Sequence, residues 1–310
     1  MLSVNELGKT NSIIRQIHGM RDQALARPVR HQDETVELPS YIARHGLHST
    51  KCDLQTLEHP FFSLLKCRDT TTYKQTYKIK EAGKSKLIKI EVEPTIYGRP
   101  TIYDKDILTY SSAIVAASEH PMRKFRFIAL DYFKATKKTQ ADRAGKALYE
   151  ALELGLKRLR GSTITTNIPV NGYTCTEGFS WITDYNFIRE EKTNRMKYVE
   201  ITLSEYLFDA ILAGQILTLP MAYYAIKTPF VKRMYELCRK HVGDQNFDIK
   251  FSYEKLHSKH GAACNSKEFM RKTRTLIENN KMPHYEVKEK KDERLFIMRK
   301  RPEQLLLLSA

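Results

Sequence analysis

Between residues 86 and 93 apolar and charged positions alternate, with Ile88, Ile90 and Val92 against Lys89, Glu91 and Glu93. Period two marks a half-buried strand, and Pro94 closes it. A partner strand is expected at 73–80. From 103 to about 119, Ile107, Leu108, Ile114, Val115 and Ala116 gather near one face, which predicts a helix. The apolar run 125–133 leaves strand and helix both open. The stretch 140–160 predicts a long helix. At ~100° per residue, Ala144, Leu148, Ala151, Leu152, Gly155 and Leu159 fall in a sector about 100° wide, the stripe of a helix docked on a core. Gly161 supplies a stop, and Lys157, Arg158 and Arg160 suit the negative end of the helix dipole. The β-prone runs 163–169 and 179–185 flank Asn171-Gly172, a hairpin signal. A further strand is expected at 196–202, and Ser204 is placed to cap a short helix.

A similar order then recurs. Helices are expected at 221–226 and 230–241, broken at Pro229 and stopped at Gly243. A short strand follows at 247–251, then a short helix at 252–259 ending at His260-Gly261. A longer helix at 266–280 takes Ser266 as N-cap. Two β-prone runs, 284–287 and 294–298, are joined by the charged tip 288–293. Short helix, turn, longer helix and hairpin is the order of a winged helix, in which the longer helix enters the major groove and the hairpin reaches flanking backbone. The expected fold is therefore α+β, with two tandem winged-helix domains at 58–220 and 221–301. Residues 1–57 read as a flexible leader, with a short amphipathic helix within 12–25, and 302–310 as a tail.

Charge sharpens this picture. The chain has 310 residues, 52 Lys+Arg against 36 Asp+Glu, and a net charge of +16. Residues 221–310 hold 20 Lys+Arg and 11 Asp+Glu, so under a third of the chain carries more than half of the excess. A basic soluble protein calls for an acidic partner, nucleic acid first. On the helix 266–280, Phe269, Met270, Thr273, Leu276 and Ile277 span an arc of about 120°, while Lys267, Arg271, Arg274 and Lys281 lie opposite, with one acid, Glu278. Lys272 adds to that helix's charge. The hairpin adds Lys288, Lys290, Lys291 and Arg294. These are the candidate contacts to duplex DNA. The earlier long helix has Arg143, Lys146, Lys157 and Arg160, but also Glu150 and Glu153. That mixed face suits phosphate positioning or a protein contact better than base reading.

Other chemistry fails on the sequence. The five cysteines, Cys52, Cys67, Cys175, Cys238 and Cys264, are widely spaced and form no Cys-x-x-Cys, which speaks against a disulfide framework or zinc knuckle. His45, His48, Cys52 and His59 make an ordinary polar stretch rather than a metal site. Gly83-Lys84-Ser85 lacks the upstream Gly of a P-loop, since Lys78 stands there. There is no His-x-His pair for a nicking enzyme, and His120-Pro-Met-Arg123 imitates a recombinase signature without its partners. Glu286-x-Lys288 and Glu289-x-Lys291 are chance imitations of half a nuclease motif. Glu91 and Glu93 belong to a solvent face, and Asp104 suits a helix start better than Mg²⁺. Trp181 belongs in a core. No enzyme, cofactor, metal or membrane span is expected, and a cytoplasmic location is.

An ordered series of short motifs resembles the plasmid replication initiator protein A family. It runs Asp104-Lys-Asp-Ile-Leu-Thr-Tyr110, Leu156-Lys-Arg-Leu-Arg-Gly-Ser-Thr-Ile-Thr-Thr166, Phe179-Ser-Trp-Ile-Thr-Asp-Tyr185 and Ile201-Thr-Leu-Ser-Glu-Tyr-Leu207. It continues with Leu217-Thr-Leu219, Tyr235-Glu-Leu-Cys-Arg-Lys-His-Val-Gly243, Leu256-His-Ser-Lys-His-Gly261, Phe269 and Pro283-His-Tyr285. The series covers roughly 58–290, with Tyr206 where Trp is expected. The resemblance implies an initiator that binds repeated sites in double-stranded origin DNA, helps melt an AT-rich segment and brings in the host initiator and replicative helicase. It also implies that a homodimer through the first unit and repression of its own promoter are open to it. A transcriptional regulator with the same fold is the alternative reading; a nicking or recombining enzyme is a weaker one.

Overall fold

The computed structural model describes residues 49–302 apart from 82–83, 142–143, 171–172, 175–177 and 280. Most of the expected leader with its helix at 12–25, His45, His48, Arg143, the Asn171-Gly172 turn and 303–310 lie outside the described residues. The chain begins with β1 (Ser49–Asp53), α1 (Leu54–Glu58), β2 (Tyr73–Glu81) and β3 (Lys84–Glu93). Then come α2 (Lys105–Ala117), β4 (Lys124–Phe127), α3 (Ala129–Ala135) and α4 (Lys146–Gly161). Next are β5 (Thr163–Thr166), β6 (Pro169–Val170), β7 (Tyr173–Thr174), β8 (Ile182–Arg189), β9 (Met196–Leu203), α5 (Glu205–Leu212) and β10 (Ile216–Pro220). After a 3-10 turn at Met221–Ala225 follow α6 (Pro229–His241), β11 (Ile249–Ser252), α7 (Tyr253–His260), α8 (Ser266–Asn279), β12 (Tyr285–Lys290) and β13 (Leu295–Lys300).

One arrangement occurs twice. In the first unit it is α2, β4, α3, α4 and the β8–β9 hairpin, with sheet order β4-β9-β8. In the second it is α6, β11, α7, α8 and the β12–β13 hairpin, with sheet order β11-β13-β12. The ambiguous run 125–133 is thus divided between β4 and α3. The turn expected at 170–173 is flanked by the short antiparallel β6–β7 pair, Val170 opposite Tyr173 and Pro169 opposite Thr174, while the longer runs 163–169 and 179–185 meet only at an isolated Ile164–Phe179 bridge. β5 instead pairs with β3, placing Ile164 opposite Val92, and β8 takes β9 as its partner. Burial decides this. Val92 and Ile164 are both fully enclosed, so the pairing removes apolar surface that the local turn signal ignores.

Two apolar cores follow. The first surrounds Trp181, with Phe61 and Phe179 edge-on and Phe62 stacked on it. Tyr206, where Trp is expected, stacks on Phe179 at 4.2 Å. The second contains Tyr223, Tyr235, Leu237, Leu256, Phe269, Phe296 and Met298, joined by Cys52 and Leu57. The last two correct the leader boundary. Residues 49–57 form β1 and most of α1, β1 pairs with β10, and both pack into the second core rather than lying loose. Asp53 starts α1, its carboxylate accepting from the Gln55 and Thr56 amides at 2.9 Å each.

Between the cores lies a buried ionic joint. Lys232 of α6 reaches Asp106 of α2 at 2.6 Å, and Lys138 reaches the other oxygen of Asp106 at 2.9 Å. Lys105 lies 2.9 Å from Glu236, and Arg233 lies 2.9 Å from the second Glu236 oxygen. Tyr223 donates its hydroxyl to Glu236. Burial alone raises the proton affinity of Glu236, yet Lys105 and Arg233 overcome it and hold the carboxyl below its ordinary range. Asp104, expected to serve the dipole, instead takes Arg158 of α4 in two bonds of 2.7 Å. Gly155 permits that approach, since a Cβ there would stand 2.8 Å from Asp104 Oδ1.

Candidate nucleic-acid interface

The position of α8 is fixed from its inner side. Phe269, Thr273 and Leu276 are buried, Met270 and Ile277 pack at the margin, and His257 of α7 stacks on Phe269 at 4.5 Å. Asn265, not Ser266, supplies the cap, its side-chain oxygen accepting from the Glu268 amide at 2.9 Å. Gly261 ends α7 at φ 72°, and a Cβ there would stand 2.3 Å from Pro60. The tight turn leads the chain toward α8.

The outward face carries the expected cations in three conditions. Lys267, Lys281 and Lys291 are exposed and have no ion pair among the described residues. Arg271 is exposed but forked onto Glu268, with two bonds of 2.7 Å, and Lys272 lies 3.6 Å from the same carboxylate. The hydrogen bond from Arg271 holds the Glu268 carboxyl down at about 2. Arg274 is tied to the hairpin by bonds of 2.8 to 3.2 Å to Glu289 of β12, which also accepts from the Tyr253 hydroxyl at 2.6 Å. Arg274 is therefore a strut between helix and hairpin as well as a surface charge. In the hairpin, Tyr285, Val287, Phe296 and Met298 point into the core, leaving Lys288 and Lys290 outside. Lys288 lies 3.7 Å from Glu286, Lys290 pairs with Glu293, and Arg294 lies 3.3 Å from Glu254. The structure thus brings α8 and the β12–β13 tip together on one side of the second unit.

The first unit differs. The buried Leu152, Leu156 and Leu159 of α4 match the spacing of Phe269, Thr273 and Leu276, so Glu150 and Leu154 stand where α8 has Lys267 and Arg271. Leu156, outside the expected stripe, is fully buried. Lys146 faces Glu150 at 3.5 Å, Lys157 pairs with Glu153 at 2.7 Å, and Arg160 donates to the Thr183 carbonyl at 3.3 Å. That face is neutralised by its own acids. Sequence reasoning misses the β8–β9 tip, where Arg189, Lys192 and Arg195 occupy the place that Lys290, Lys291 and Arg294 take in the second hairpin. A signal for it exists: a charged run from Glu190 to Arg195 between two β-prone stretches.

Of the carboxylates weighed as metal ligands, several are engaged with cations, and the His45–His48 reading lies outside the described residues. Asp104 and Asp106 already hold cations, Glu91 pairs with Lys74, and among the described residues no group of three or more His, Cys, Asp or Glu side chains could hold a metal ion. No described helix is long and apolar enough to cross a membrane.

The repeated helix–strand–helix–helix–hairpin unit defines a class of mixed α/β protein with a basic helix and hairpin on one flank. Its fold is shared by a crystal structure of domain 2 and domain 3 of RctB, with a TM-score of 0.54 and 12% identity, covering 80% of this chain and 97% of that one. A protein of Wigglesworthia glossinidia brevipalpis named "Putative replication protein" is 31% identical over 249 residues, 78% of this chain and 86% of its own. The family model for replication initiator protein A matches residues 51–287. This chain belongs to the replication initiator protein A family, as the ordered motifs indicated, and the match begins within β1.

Proposed function

We propose that this initiator binds repeated duplex sites at a replication origin, with both units acting as winged helices. In this reading α8 lies in the major groove and the β12–β13 hairpin tracks the neighbouring backbone. Bound there, in the cytoplasm, it promotes melting of adjacent duplex and recruits the host initiator and replicative helicase, itself performing no covalent chemistry. The observation that carries the reading is the outward row Lys267, Arg271 and Arg274 beside a basic hairpin, in a chain of an initiator family. Lys267, Lys281 and Lys291 are the first phosphate contacts, having no close ion pair among the described residues. Arg271 is the first base reader, because its guanidinium fork can leave the exposed Glu268 for a guanine edge. The test is Arg271→Ala, measured on duplexes carrying the repeats that flank the gene and on scrambled duplexes. Affinity for the repeats is expected to fall by about ten- to a hundredfold, with little change on scrambled DNA. Equal weakening on both would make Arg271 a phosphate contact, and no weakening would take α8 out of the interface.

A further inference from the structure

A groove of 780 Å³ runs along the flank of α8 that carries Arg271, Lys272, Thr275 and Asn279, between that helix and the entry to α6. Its floor is apolar, with Phe230, Val231, Leu276 and Met282. Its rim carries Lys66, Lys227, Arg271, Lys272 and Lys281, and among the described residues no Asp or Glu lines it. Lys66, Lys227 and Lys281 have no ion pair among the described residues. Bare phosphate backbone has no use for an apolar floor, whereas a peptide that buries aliphatic side chains and presents carboxylates to the rim matches both features.

The first unit contains an internal precedent. The corresponding space, between α4 and the entry to α2, is a cavity of 610 Å³. There the chain's own segment 65–69 supplies an apolar Leu65 and an acidic Asp69, and Asp69 pairs with Arg99. Asp104 completes the pattern by taking Arg158. In the second unit Glu268 holds Arg271 and Lys272, but Lys66, Lys227 and Lys281 on the same rim have no ion pair among the described residues.

We propose that the groove between α8 and the start of α6 docks an acidic, amphipathic segment of a partner protein, with Lys66 and Lys227 as its outer clamps. The groove shares Arg271, Lys272 and Lys281 with the proposed duplex contacts, so peptide and duplex would meet at that rim, whereas Lys66 and Lys227 lie outside those contacts and report on docking separately. The test uses the full chain and a labelled synthetic peptide with leucines at helical i, i+3, i+4 spacing and glutamates between them. A control peptide keeps the glutamates and replaces every leucine by serine. The leucine peptide is expected to bind about tenfold or more tightly than the control. The double variant Lys66→Glu, Lys227→Glu is expected to lose about tenfold or more of that affinity, with an unchanged thermal midpoint. Equal binding of the two peptides, or full binding by the double variant, would overturn the proposal. So would a duplex that displaces the peptide and is weakened by the same two substitutions, since the groove would then be a phosphate track. Self-association lost in the double variant, without peptide binding, would assign the groove to a second copy of this chain.

Discussion

Arg233 lies where two helices end. Its guanidinium donates to the carbonyls of Thr56, Leu57 and Glu58 at the end of α1 and of Lys259 at the end of α7, at 2.8 to 3.2 Å. Those carbonyls lack helical partners and carry the negative end of each dipole, so backbone as well as Glu236 compensates the buried charge. Removing the carboxylate strands Lys105 and Arg233 together. Glu236→Gln is expected to cost about 3–5 kcal/mol, read as a lower urea midpoint. Histidines nearby set the acid limit. Burial holds His59 at about 3, His241 at about 4 and His260 at about 3, against an ordinary 6.5. The unfolded chain therefore binds more protons below pH 6.5. Their stabilisation is complete above that pH and is lost as pH falls toward 4 and 3. Each adds a slope of roughly 1.4 kcal/mol per pH unit within the window. Thermal midpoints from pH 7 to 5 should fall steadily; a flat profile would show that these rings are solvated.

Among the elements, α4 and α8 were legible because their apolar positions repeat with helical period over several turns. The β3 alternation was equally plain. What the pattern could not supply was partnership. The Asn171-Gly172 signal speaks only for neighbours in sequence, here the short β6–β7 pair, so the union of β5 with β3 had no local trace. The ionic joint was invisible for a related reason. Lys105, Asp106, Lys232 and Arg233 look like surface charge until α2 and α6 bury one another, and only pairing across 126 positions makes that burial tolerable. The candidate interface was readable as a basic helix and hairpin, and the β8–β9 tip left a charged run at 190–195, but the Arg274–Glu289 strut needed the fold. Gly155 tests the close approach of α4 to α2. Gly155→Ala gains ~1 kcal/mol of helix propensity, yet its methyl would meet an Asp104 carboxylate that Arg158 holds in place. Overpacking of this kind costs about 1–3 kcal/mol, so a net loss in chemical denaturation is expected; a gain would mean that Asp104 moves freely.

Over the whole molecule, charge is unevenly spent. The first unit's long helix cancels its cations with Glu150 and Glu153, while the second leaves lysines open. Salt dependence should therefore follow the second unit. Replacing Lys267, Lys281 and Lys291 together by Ala is expected to reduce the log–log salt slope by ~0.9 for each phosphate no longer neutralised. The same triple substitution should weaken repeats and scrambled duplexes alike. A slope identical to that of the parent would place the backbone elsewhere. The strand pairing of β1 has a consequence for synthesis. Thr50 bonds to Tyr224, 174 positions later, and β1 is not hydrogen-bonded until β10 exists. At ~5–20 residues per second a ribosome needs about 10–35 s to make that span. Throughout that interval the nascent chain presents an unfinished sheet edge beside Leu57 of α1, whose core is still incomplete. Assembly of the second core has to wait for most of translation, because Cys52 and Leu57 meet their core partners only from Leu219 onward.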